Sequence, residues 1–159
     1  TKNKNFERHL DAVSGLHCTF VIVGELNSYQ RKLLKASNVA FKVISGLTNE
    51  EMLEQYQLSD IVLFASTSEG FGLPILEGQA VGRPVVTSNI DPMSEVAGGG
   101  ACLVDPYSSQ SIRKGLKRII ENSQYRHELV SKGFENIKKF SPAAVAECYE
   151  NLYREITNS

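Results

Sequence analysis

A chain of 159 residues in which 42% are hydrophobic can bury one ordinary globular core. Its formal net charge of −1 supplies no overall basic field for nucleic acid or an anionic membrane, so neither is an expected partner. No apolar run reaches the ~18–20 residues of a membrane span, and the opening TKNKNFERHLDAV lacks the apolar stretch of a secretory leader.

The chain begins with a short polar segment and then a helical pattern, Phe6, Leu10 and Val13, as though a strand and loop had preceded it. It therefore reads as a piece of something longer. CTFVIVG, Cys18 to Gly24, is rich in β-branched and aromatic residues and is expected to be a strand buried on both faces. YQRKLLKAS follows as a short helix, and FKVIS, ending at Gly46, as a second strand. TNEEMLEQYQLS predicts a helix capped by Thr48 or Asn49, with Glu50 and Glu51 in its first turn and Met52, Leu53 and Tyr56 on its apolar stripe. DIVLFAS is a third strand. After a glycine-rich turn, Pro74 suits the first position of a helix running to about Gly82. RPVVTS and GACLVD predict two more strands.

The last third is helical. Ile112, Leu116, Ile119 and Ile120 mark one stripe, and Tyr125, Leu129, Phe134 and Ile137 a second. Val145, Tyr149, Leu152 and Ile156 mark a third, opened by Ser141 as cap and Pro142. Short strands alternating with helices of ten or so residues predict an α/β fold, a Rossmann-like parallel sheet with helices on both faces. Residues 1–159 form a single domain with a helical carboxy-terminal tail. Cys18, Cys102 and Cys148 are odd in number and set among apolar residues, and are expected to be buried, reduced thiols of a cytoplasmic protein. His9, His17 and His127 have no metal-like spacing, so neither a metal nor another cofactor is expected.

The stretch STSEGFGLPILEGQAVGRPVV carries the chemistry. In open α/β sheets ligands bind beyond the carboxyl ends of the strands, and this turn follows the third strand. Gly70 and Gly72 let backbone N–H groups approach a ligand closely, and the helix beginning near Pro74 presents a positive dipole end to an anion such as a diphosphate. Glu77, one turn in, projects back toward that end. An ionised carboxylate there can accept hydrogen bonds from two adjacent hydroxyls, as a ribose presents them. Glu69 lies on the other side of the anion position. From the residues alone, a second reading stays open: ordinary turn glycines with two solvated or capping glutamates. GFGLPI lacks the third glycine of a dinucleotide turn, and no Gly-Lys-Ser/Thr phosphate loop occurs.

EGFGLPILE resembles the E-x7-E motif of retaining GT-B glycosyltransferases of the glycogen-synthase and mannosyltransferase-like group, family GT4. The similarity extends through SDIVLFASTSEGFGLPILEGQAVGRPVVTSNIDPMSEVAGGGACLVDP, including the G-x-P-V strand, the E-V-A-G turn and L-V-D-P. It implies the carboxy-terminal, donor-binding half of a two-domain enzyme, with the first strand and the acceptor-holding amino-terminal domain lying outside this chain. The implied function is transfer of a hexose from a UDP- or GDP-sugar to a glycan, lipid or other hydroxyl acceptor, as in cell-envelope polysaccharide synthesis. The chain alone would be inactive, and any peripheral membrane association would come through the other half. By the same resemblance Glu77 binds the ribose, and Gly70, Phe71, Gly72 and Leu73 contact donor sugar and diphosphate. Glu69 sits by the transferred sugar as the catalytic residue, Lys4 binds the diphosphate, and Gly46 lies on the nucleobase side. Ala65, Gly78 and Arg83 depart from the commonest pattern without removing a polar ligand, Arg83 being expected as a solvated helix-end cation. Glu95 is expected to fix a turn. The alternatives are a sugar-nucleotide epimerase or hydrolase on the same fold, and a non-catalytic nucleotide-sugar-binding module.

Overall fold

The computed structural model describes residues 2–157. A 3₁₀ turn at Lys2–Lys4 leads into α1 (Phe6–Val13), followed by β1 (Thr19–Val23), α2 (Ser28–Ala36), β2 (Ala40–Ile44), α3 (Asn49–Leu58) and β3 (Val62–Phe64). Then come α4 (Leu73–Ala80), β4 (Val85–Ser88), α5 (Met93–Ala97), β5 (Ala101–Val104), α6 (Ser109–Glu121), α7 (Ser123–Lys138) and α8 (Pro142–Thr157). All strand pairings among the described residues are parallel. Register runs from Thr19↔Ala40 to Val23↔Ile44 between β1 and β2, and Val85 of β4 stands beside Val62 of β3 and Ala101 of β5.

Helix starts follow the capping chemistry of their sequences. Thr48 caps α3, its hydroxyl accepting from the Glu51 N–H at 3.2 Å while Glu51 returns a bond to the Thr48 N–H at 2.8 Å. Asn27 and Gln30 make the same reciprocal pair at α2, and the Ser141 hydroxyl accepts from the Ala144 N–H at the start of α8. The helix after the glycine turn begins at Leu73, so Pro74 is its second residue rather than its first. The E-V-A-G segment forms the short helix α5, stopped by Gly98 at φ 55°, where a plain turn was expected.

The core lies on both faces of the β3–β4–β5 sheet. Val86 packs with α1, α6 and Leu129 of α7, together with Leu34 of α2. Its neighbour Val85 points the other way, into a cluster made with Ile75 of α4 and Met93, Val96 and Ala97 of α5. Every residue of β4 is buried, as a central parallel strand requires.

The sheet is divided. β1 and β2 form a pair, and β3, β4 and β5 a separate triplet. Two cavities of about 380 and 870 Å³ run between them, each lined by Phe20 and Val21 of β1 and by Ile61 and Leu63 beside and within β3. The expectation that β1 is buried on both faces is thereby corrected: Val21 and Val23 are 36% and 42% exposed. A parallel strand is buried twice over only where a neighbour and a covering helix close both sides of it. Here β1 borders a cavity, and α3 contains no fully buried residue.

Cysteine placement differs from expectation too. Cys102 is buried in β5, but Cys18 lies just before β1 at the cavity rim and Cys148 lies in α8, both exposed. No helix among the described residues is long and apolar enough to cross a membrane.

Candidate active site

The site is built on the segment that leaves β3. Gly72 adopts φ 110°, and a Cβ there would meet Ile75 Cδ1 at 3.0 Å, so this position requires glycine. Gly70 lies in open space with no such constraint. The Ile75 N–H closes back on the Gly72 carbonyl at 2.9 Å, and Pro74 has no N–H, so the first turn of α4 offers fewer donors than an ordinary helix start. The preceding loop compensates: among the described residues no backbone hydrogen bond is donated by Gly70, Phe71 or Gly72. Phe71 is anchored edge-on against Phe140, with centroids 5.9 Å apart, at the α7–α8 junction. Leu73 is 59% exposed beside it.

The amino-terminal turn is tied to this same place. Asn5, buried at φ 57°, donates from Nδ2 to the carbonyls of Ala65 (2.8 Å) and Pro106 (2.7 Å). Asparagine suits this role because it tolerates the left-handed region while its side chain bonds to backbone. Asn3 donates to the Ser68 carbonyl at 3.1 Å, and the Thr67 N–H donates to the Asn3 carbonyl at 2.9 Å. His9 Nε2 lies 3.1 Å from the Ala65 carbonyl. A carbonyl only accepts, so the ring carries its proton on Nε2. Burial drives the His9 pKa from 6.5 down to about 4, against a smaller upward pull from that bond.

The result is that Lys4 Nζ sits 2.8 Å from Glu69 Oε1 and 5.0 Å from the centre of the Phe64 ring. The Lys4 side chain is 52% exposed and that of Glu69 only 14%. A cation and a carboxylate far apart in sequence thus meet beside an amide-rich loop, an arrangement suited to an anion carrying a polyhydroxyl group.

Glu77 lies about one turn into α4 and is exposed. Its Oε2 accepts a 2.7 Å hydrogen bond from Tyr56 Oη, from the end of α3. Burial, then the bond to Glu77 and its charge, push the Tyr56 pKa upward, so the phenol stays protonated and acts as donor. Gly46 ends the β2 side at φ 71° in open space. No described contact joins it to Glu69 or Glu77; its connection is through α3, which starts three residues later and carries Tyr56. The 380 Å³ cavity touches Lys4, Phe64, Ser66, Pro74 and Tyr56 but is lined by neither glutamate.

Asn3, Asn5, His9, Tyr56 and Phe140 were not singled out as site residues. Only Asn5 carried a sequence signal, as a polar, αL-tolerant residue directly before an apolar helix. Arg83 is corrected: it is half-buried, donating from Nη2 to the Gln57 carbonyl at 2.5 Å, because the turn after α4 folds against the end of α3.

Residues 1–136 match the family described as glycosyl transferases group 1. The chain is 32% identical over 100 residues to the serotype-specific mannosyltransferase WbdA of Escherichia coli, covering 63% of this chain and 12% of that protein. It is 32% identical over 116 residues to the D-inositol 3-phosphate glycosyltransferase of Corynebacterium aurimucosum, covering 72% of this chain and 28% of that protein. The crystal structure of Anabaena Alr3699/HepE in complex with UDP-glucose superposes with a TM-score of 0.80 at 20% identity, covering 100% of this chain and 46% of that one. The chain thus belongs to the group 1 glycosyl transferases, with the parallel α/β architecture of a GT-B half. It spans less than half the length of each of these relatives.

Proposed function

We propose that this chain is the donor-binding half of a retaining glycosyltransferase of the GT4 group, moving a hexose from a UDP- or GDP-sugar to a hydroxyl acceptor. The observation that carries this reading is the Lys4–Glu69 contact at the mouth of the glycine loop, with Glu77 one turn into the helix that follows. The similarity to WbdA, a mannosyltransferase by name, and to HepE, crystallised with UDP-glucose, supports the same donor class. The acceptor binds on a second domain, cytoplasmic like this one, and the chain alone transfers no sugar.

A further parallel strand from the longer protein fits between β1 and β3. The cavities there are lined on both sides by strand residues, and Val21 and Val23 gain a neighbour when the space is filled.

In the transfer, the bond from the sugar's anomeric carbon to the diphosphate breaks. The acceptor oxygen bonds to that carbon on the same face, and its proton passes to the departing diphosphate oxygen. Charge grows on the diphosphate as it leaves. Lys4 and the free amides of Gly70 to Gly72 stabilise it without reorganising, and no metal is needed in this reading. Glu69 faces the sugar, where positive charge develops. Glu77 holds the ribose.

The two glutamates therefore have separable roles. In the complete enzyme, Glu69→Gln should leave binding of the bare nucleoside diphosphate nearly unchanged and lower kcat by about 10²-fold, since its contact strengthens mainly in the transition state. Glu77→Gln should weaken nucleotide and sugar nucleotide alike, roughly tenfold, through loss of a charged acceptor. Titrations and steady-state kinetics on both variants decide this. Equal weakening of the bare diphosphate by both variants would overturn the assignment.

A further inference from the structure

Resting on the reading that Glu77 receives the ribose, we infer that Tyr56 is a positioning residue that sets the Glu77 carboxylate for its ligand. Glu77 is an exposed side chain, and among the described residues no cation pairs with it. Left alone, such a carboxylate samples many rotamers, and a ligand would have to order it on binding. Its side-chain partner is the Tyr56 hydroxyl at 2.7 Å.

Tyr56 can hold it because its own ring is held. It is half-buried and packs against the core cluster that contains Val62, Ile75 and Met93, so Oη is a donor fixed by the core. The bond occupies one lone pair of Oε2. The remaining lone pair and all of Oε1 stay available to two adjacent hydroxyls.

The contact also joins α3 to α4. A purely structural tie between the two helices is the competing account, and the two separate on a single chemical change in the ligand.

The experiment is a calorimetric titration of the complete enzyme with UDP, GDP and their 2′,3′-dideoxy analogues, using the wild type, Tyr56→Phe, Glu77→Ala and the double variant. Phenylalanine keeps the ring packing, and removal of the hydroxyl leaves only an exposed carboxylate behind, so the fold is retained. Tyr56→Phe is expected to weaken the better ribonucleotide about five- to tenfold, as loss of one charge-assisted orienting bond would. It should leave the dideoxy analogue within about twofold and have no further effect in the Glu77→Ala background. Equal loss on ribo- and dideoxynucleotide, or an undiminished loss without Glu77, overturns the inference. If wild type discriminates the analogues, Glu77→Ala abolishes that discrimination and Tyr56→Phe retains it, the inference alone falls. If wild type binds neither nucleotide, or does not discriminate, the ribose reading falls with it.

Discussion

His9 stands between the amino-terminal turn and the end of β3 as a neutral, buried ring donating to the Ala65 carbonyl. Its pKa falls from 6.5 to about 4 in the folded chain, chiefly because charging it would strand an imidazolium away from water. Between those two values the unfolded chain binds more protons than the folded one, so stability rises with pH there. The contribution is fully present above pH 6.5, is lost as the pH falls, and declines no further below about 4. A shift of that size corresponds to about 3 kcal/mol. His9→Gln, which can still donate to the carbonyl but does not titrate, should lose distinctly less stability between pH 7 and pH 4.5 in urea unfolding. Carboxylate titrations are common to both proteins and cancel; identical pH slopes would show that His9 is not the titrating group.

At the scale of elements, α4, α5 and α7 share a buried polar contact beside their apolar packing. Asn136 of α7 donates to Gln79 Oε1 at 2.9 Å and to the Val96 carbonyl at 2.8 Å, and Gln79 in turn donates to the Ala97 carbonyl at 2.9 Å. All of these side-chain atoms are buried, and a Cβ on Gly98 would overlap the Asn136 amide. Asn136→Ala should cost about 1–3 kcal/mol, because it leaves the Val96 carbonyl and Gln79 Oε1 buried without donors. Thermal and chemical unfolding of the variant checks this, and a change under 0.5 kcal/mol (roughly the surface-substitution range) would mean water replaces the lost donor.

Periodicity placed α7 correctly, through Leu129, but it assigned Phe134 to the buried stripe. In the structure Phe134 is 42% exposed, lying over Gly82, while Gly133 and Asn136 face inward. Apolar spacing cannot reveal a helix contact made by an amide and a glycine. Capping sequences were more informative: Thr48 with Glu51, and Ser141 with Pro142, carry their partners within three residues and were legible for that reason. The Tyr56–Glu77 and Lys4–Glu69 contacts join distant elements, and no local pattern encodes their geometry.

Across the whole molecule, the alternation of strands and helices specified the parallel α/β class, and β4 confirms it with Val85 and Val86 buried on opposite faces. What the pattern could not show is the division of the sheet, because β1 reads identically whether or not a strand stands beside it. The same holds for α8: Val145, Tyr149 and Leu152 keep helical spacing, yet all are exposed. In the two-domain transferase proposed above, the other part of the protein would supply a strand at one place and cover a helix at the other. The half-site that remains should still recognise the nucleotide, because Glu77, the glycine loop and Lys4 are all within it. The most direct measurement is calorimetric titration of the 159-residue chain with UDP and with GDP. One of them should bind with a Kd of ~0.1–1 mM, about 4–5.5 kcal/mol, and Glu77→Ala should remove most of that affinity. Failure of both nucleotides to bind at 10 mM (roughly tenfold above the weaker limit), or binding untouched by Glu77→Ala, would contradict the donor-binding account.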